Sequence, residues 1–122
     1  TDIDLAALTR DATRTIECHL ERPIESRFFT LRSLDVGSVA RFKDTHRHLR
    51  AALQSAHDDC LRRLYRRWVY KIDRQSTKQR ERVGAVVRST VQRTYEKYLR
   101  HWQSMAATLY VYRRFVSHAS QP

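Results

Sequence analysis

Residues that break helices are almost missing from this chain. Its 122 residues include two glycines, Gly37 and Gly84, and two prolines, Pro23 and Pro122. Between Ser38 and His118 there is no proline and a single glycine. Because β-rich folds depend on frequent turn residues, this scarcity predicts an all-α chain.

The apolar residues then divide the chain into helical segments. They recur at helical spacing from Leu5 to Leu20, and Pro23 is expected to end this helix or to restart it. Residues 24–34 form a second short apolar segment, and the stretch SLDVGS at residues 33–38 is the clearest break. We therefore predict two short helices within residues 1–34 and one long basic amphipathic helix over residues 38–118.

The continuity of the long helix depends on residues 73–82, DRQSTKQRER, which contain no apolar side chain. Because this stretch also lacks glycine, proline and asparagine, we favour continuous helix over a loop. A helix over 38–118 would be about 120 Å long and would need a partner to cover its apolar stripes. The alternative is a helical hairpin, bundle or coiled coil with a turn near 73–82.

Charge is distributed unevenly along the sequence. Residues 1–40 carry five arginines and seven acidic residues, whereas residues 41–122 carry nineteen lysines and arginines and six acidic residues. The second part therefore predicts an acidic partner, unless the charges simply solvate a helix face. No apolar run is long enough to span a membrane, and the two isolated cysteines are typical of a reducing compartment, so we expect a cytoplasmic protein.

Two tryptophans mark similar units, at about residues 52–72 and 86–106. In each unit, apolar and aromatic residues fall within an arc of about 100° on a helix. On one continuous helix, Trp68 and Trp102 would lie about 51 Å apart and face nearly opposite sides, as two separate binding sites; a hairpin would bring them together. The predicted partner-binding residues are Leu61, Leu64, Tyr65, Trp68, Ile72, Tyr95, Tyr98, Leu99, Trp102 and Met105. The flanking positive charges are Arg62, Arg63, Arg66, Arg67 and Arg100.

The first unit resembles the centrin-binding repeats of spindle-pole and centriole proteins. The matching residues are Ala52, Cys60, Leu61, Tyr65 and Trp68. Cysteine replaces an aliphatic residue of the repeat, tyrosine replaces phenylalanine or leucine, and valine follows the tryptophan in place of a base. The second unit matches less closely, with Val86, Thr94, Tyr95, Leu99, Trp102 and Gln103 at the corresponding positions.

The resemblance implies a long helix whose tryptophans each enter the apolar groove of an EF-hand lobe. It also implies a cytoskeletal location at the centrosome or basal body, with calcium present only through the bound partner. The surrounding arginines would suit the acidic exterior of a calcium-binding lobe. We therefore expect a non-catalytic scaffold that binds centrin-type or calmodulin-type proteins.

Two other functions fit the same residues. If the aromatic patches form the core of a bundle or coiled coil, the chain is a structural subunit of a cytoskeletal assembly, with self-association possible. If the arginines contact phosphates and the tyrosines stack on bases, it is a helical subunit of a ribonucleoprotein. Catalysis is not expected, because the sequence has no phosphate-binding glycine loop, no paired nucleophile and base, and no metal-ligand spacing among its histidines. We likewise expect no cofactor and no metal.

Overall fold

The structure is a computed structural model that describes residues 3–33 and 39–119, with side chains described for residues 3–26 and 43–108. Three α-helices follow one another: α1 over Leu5–Ser33, α2 over Val39–Leu64, and α3 over Thr77–Ala119. A π-helical turn, Tyr65–Val69, continues α2 for five residues. The all-α prediction is confirmed.

The helices pack as an up-down-up bundle. Each helix contacts both others. Along α2 and α3, residue numbers in contact run in opposite directions, so these helices are antiparallel. The pairs are Tyr65 with Gly84, His57 with Gln92, Gln54 with Tyr95, and His46 with Trp102. Asp11, in the first half of α1, contacts Arg67 just beyond the end of α2, close to where α3 begins. Glu21, farther along α1, contacts Tyr98 in the middle of α3. Helix α1 therefore runs antiparallel to α2 and parallel to α3.

One apolar core lies between the three helices. The predicted stripe of α1 supplies Leu8, Ala12, Ile16 and Leu20, and each is fully buried. The other two helices complete the core with Leu49, Leu53, Cys60, Leu64, Val69, Val83, Val87, Val91, Tyr95, Trp102 and Ala106. Since all three helices bury residues in the same cluster, the fold depends on each of them.

The prediction of two short helices before residue 34 is wrong, because α1 continues through Pro23. Proline removes one backbone donor from the helix and normally interrupts it. Here Leu20 is buried just before Pro23, and Ile24 packs against the same core just after it. The continuous burial of this stripe outweighs the lost hydrogen bond. Asp4 begins the helix, since its carboxylate accepts a hydrogen bond from the Ala7 amide at 3.1 Å.

The prediction of one helix over 38–118 is also wrong, and the alternative hairpin or bundle is what the structure shows. The chain turns over residues 70–76, at the start of the polar stretch and not across all of it. Asp73 forms the turn: its carboxylate accepts from the Gln75 amide at 3.1 Å and its carbonyl from the Ser76 amide at 2.9 Å. Residues 77–82 are already the first turns of α3. The two tryptophan units therefore fold against each other, and the geometry of two distant binding sites does not apply.

Candidate binding surface at the basic tip

The end of the bundle formed by the α2–α3 connection is strongly basic. Residues 62–82, which we call the basic tip, contain nine lysines and arginines and two acidic residues, Asp73 and Glu81. The π turn and the 70–76 turn lie within this segment. Here the fold concentrates positive charge at one end of the bundle.

Few of these charges are neutralised. Arg67 forms an ion pair with Asp11, and Arg62 forms one with Asp59. The described residues provide no ion pair for the other seven basic residues of the tip, which are Arg63, Arg66, Lys71, Arg74, Lys78, Arg80 and Arg82. The tip therefore presents a cluster of positive charge that would attract an anionic surface.

The predicted aromatic anchors of the second unit, Tyr95 and Trp102, are buried in the core, whereas Tyr65 and Trp68 of the first unit lie half-buried within the basic tip. Trp102 is 1% exposed and stacks with His46, with the ring centroids 6.1 Å apart. Tyr95 is buried and its hydroxyl donates to Gln54 Oε1 at 3.2 Å. Leu64 is fully buried, and the remaining predicted residues are half-buried. The half-buried residues are Leu61, Tyr65, Trp68, Ile72, Tyr98, Leu99 and Met105.

Trp68 is held by α1 of the same chain. Its indole N–H donates to Asp11 Oδ2 at 2.6 Å, and Arg67 Nη1 donates to both oxygens of the same carboxylate at 2.7 and 2.8 Å. Burial alone would raise the pKa of Asp11. The hydrogen bonds from Arg67 and Trp68, with the Arg67 charge, outweigh burial and hold this pKa below its ordinary value of 3.8. Asp11 thus fastens the end of α2 to α1.

Asp11→Asn should therefore destabilise the bundle in a pH-dependent way. A carboxyl whose pKa is lowered by folding contributes stability above its unfolded pKa, and this contribution is lost as pH falls through the folded pKa. We expect the variant to lose about 1 kcal/mol near neutral pH, a small value because the site is partly solvated. Urea denaturation should show this difference at pH 7 and a smaller one at pH 2. Asp44→Asn, whose partners lie on its own helix, is the control, and an equal deficit for Asp11→Asn at both pH values would contradict this role.

The opposite side of the π turn carries two tyrosines. Tyr65 donates its hydroxyl to the Gly84 carbonyl at 3.4 Å and accepts a hydrogen bond from Arg88. Tyr70 is 63% exposed, and its ring centroid lies 6.1 Å from that of Tyr65. Gly84 allows the Tyr65 hydroxyl to lie close to the backbone of α3. A Cβ atom at this position would lie 3.2 Å from that hydroxyl, closer than an ordinary van der Waals contact.

A cleft opens beside Trp68 on the α1 side of the tip. It has a volume of about 480 Å³, and Trp68 and Ile72 line it together with Arg67, Lys71 and Ile3, which precedes α1. Asp73, Ser76 and Gln79 add polar groups to its wall. The cleft is thus bordered by two cations, of which Arg67 is paired with Asp11.

Two side chains whose groups can react or bind a metal, Cys60 and His57, are buried in the core. Burial raises the pKa of Cys60 to about 11, so its thiol is an apolar core group. His57 is buried, with Nδ1 3.1 Å from Asp58 and Nε2 3.2 Å from Gln92. Within residues 3–33 and 39–119 no group of three or more metal-ligating side chains is assembled, and none of the helices there is both long and apolar enough to cross a bilayer.

Sequence reasoning missed three residues of this region. The sequence predicts Asp11 in a separate N-terminal segment, although Asp11 binds both Arg67 and Trp68. Tyr70 lies outside the predicted apolar arc of the first unit, and Arg88 was not placed beside Tyr65. The turn at 70–76 brings Arg88 beside Tyr65, the π turn brings Tyr70 beside Tyr65, and the packing of α1 on α2 brings Asp11 beside Trp68. No protein-family model matches the chain, and no curated protein or solved structure is significantly similar to it.

Proposed function

We propose that this chain is a non-catalytic three-helix scaffold module that binds an acidic macromolecule through its basic tip. The observation that carries the proposal is the cluster of seven basic residues at the tip that have no ion-pair partner among the described residues. Clustered charge at the end of a rigid bundle attracts a polyanion over long distance and orients it on encounter. The buried aromatic residues supply the rigidity.

The proposal predicts that the position of the charges matters, beyond their number. Arg66→Glu/Arg74→Glu should weaken binding of fluorescein-labelled heparin about tenfold at about 0.1 M salt, since two attractive contacts become repulsive. Lys43→Glu/Lys97→Glu changes the net charge equally, at exposed positions more than about 20 Å along the helices from the tip. Fluorescence anisotropy should show nearly unchanged affinity for this control. Equal losses for the two double variants would rule out a localised site.

Binding of an EF-hand protein through the aromatic anchors remains a proposal for an opened form of the chain. A groove that takes up Leu61, Leu64 and Trp68 would have to displace α1, because Leu64 is fully buried and the Trp68 indole donates to Asp11. The closed bundle instead favours binding at the tip. Self-association and a place in a cytoplasmic, centrosomal or basal-body assembly stay predictions.

A further inference from the structure

The π turn changes which side chains share a face at the end of α2. In a regular α-helix, residues five apart point about 140° away from each other. Here the Tyr70 amide donates to the Tyr65 carbonyl at 2.9 Å, a hydrogen bond that spans five residues. This geometry brings the two tyrosines onto one side, with an angle of 55° between the ring planes. The inserted residue therefore builds an aromatic pair that an unbroken α-helix would separate.

The inner ring of the pair, Tyr65, is held in place, and the outer ring, Tyr70, is exposed to solvent. Tyr65 is half-buried against the core and is fixed through its hydroxyl by the Gly84 carbonyl and by Arg88. The Arg88 guanidinium also lies 6.0 Å from the centre of the Tyr65 ring. Tyr70 rests against Tyr65 and exposes most of its surface to solvent. An aromatic ring that is already ordered loses little entropy when another planar group stacks on it.

The side chains around the pair are cationic. Arg66 precedes Tyr70 by four residues on the same turn and is exposed, and Arg88 lies beside Tyr65. Tyr70 is the one large apolar side chain that is exposed within the described side chains of residues 3–26 and 43–108. A protein partner would ordinarily bury several apolar residues at the centre of its interface. A single aromatic ring among arginines instead matches nucleic acid, whose affinity comes from phosphate contacts and base stacking.

We propose that the Tyr65–Tyr70 pair is a stacking platform for an unpaired base, and that the partner of the basic tip is single-stranded nucleic acid. This inference rests on the proposed function, because the tip arginines would hold the phosphates while Tyr70 stacks on the base. Duplexes keep the faces of their bases hidden, so they would use the phosphate contacts alone. The platform thus distinguishes single strands from other polyanions.

The test compares two ligands of one sequence. Fluorescence anisotropy would measure the affinity of the full chain for a labelled, unstructured RNA of about 12 nucleotides, and for the same strand annealed to its complement. Tyr70→Ala should weaken binding of the single strand about tenfold and binding of the duplex less than about twofold. Tyr70→Phe keeps the ring and should bind both ligands like the unaltered chain.

Each outcome has a distinct meaning. Two results would contradict the stacking platform. Either Tyr70→Ala binds the single strand with unchanged affinity, or Tyr70→Phe binds it as weakly as Tyr70→Ala does. Tighter binding of a glutamate-rich peptide of about 12 residues than of the single-stranded RNA would also overturn it, in favour of an acidic protein. In these cases the proposal that the basic tip binds an acidic macromolecule is retained, provided that Arg66→Glu/Arg74→Glu weakens binding of heparin. If that double variant binds heparin normally, the proposed function fails as well.

Discussion

Replacing Trp102 by alanine should lower the free energy of unfolding by about 3–5 kcal/mol, the usual cost of emptying a large aromatic site in a core. Trp102 has the largest of the fully buried side chains, and its ring fills the space between α3 and His46 of α2. A domain of this size is typically stable by about 5–15 kcal/mol, so this loss is a large fraction of the total. We expect the melting temperature to fall by about 10 °C or more.

Tyr70→Ala is the matched control for this prediction, because it removes a large aromatic side chain from an exposed position. A surface change of this kind usually alters stability by about 0.5 kcal/mol or less. Thermal and urea denaturation followed by circular dichroism would compare the two variants. If Trp102→Ala were as stable as Tyr70→Ala, the tryptophan would not serve the core, and its role as a partner-binding anchor would regain support.

The helical class and the buried face of α1 follow from the sequence. Scarcity of glycine and proline predicts helix, and the spacing of Leu8, Ala12, Ile16 and Leu20 identifies the face of α1 that is buried. Charge asymmetry likewise points to the second part of the chain as the basic surface. These features are local, so one sequence contains the information for them.

The position of the turn was harder to predict, because Asp73 and Ser76 form it without glycine, proline or asparagine. Aspartate can replace a backbone acceptor through its own carboxylate, as Asp73 does for the Gln75 amide. The continuation of α1 through Pro23 also escaped prediction, because tertiary burial of Leu20 and Ile24 decides it. Neither effect is visible in helical spacing alone.

The role of the tryptophans could not be decided from the sequence for a more general reason. An apolar stripe has the same spacing whether another protein covers it or another helix of the same chain does. Trp102 and Tyr95 fit both interpretations until the turn at 70–76 brings α2 and α3 together. The π turn is a second such case, because the insertion of one residue in a helix leaves almost no trace in the hydrophobic pattern.

The second large effect concerns the size of the molecule in solution. In the bundle, the longest dimension is set by α3, whose 43 residues span about 65 Å. The radius of gyration of a rod is its length divided by √12, so the bundle should have a radius of roughly 20 Å. One continuous helix over residues 38–118 would be about 120 Å long and would give a radius of about 30 Å or more. The radius of gyration of the continuous helix would therefore exceed that of the bundle by about half or more.

Small-angle X-ray scattering of the full chain is the most direct test that the chain closes on itself as a three-helix bundle. The forward scattering gives the mass, which separates a monomer from an assembly, and the angular dependence gives the radius of gyration. We predict a monomer mass of 14.6 kDa with a radius of roughly 20 Å. A monomer with a radius of about 30 Å or more would contradict the bundle.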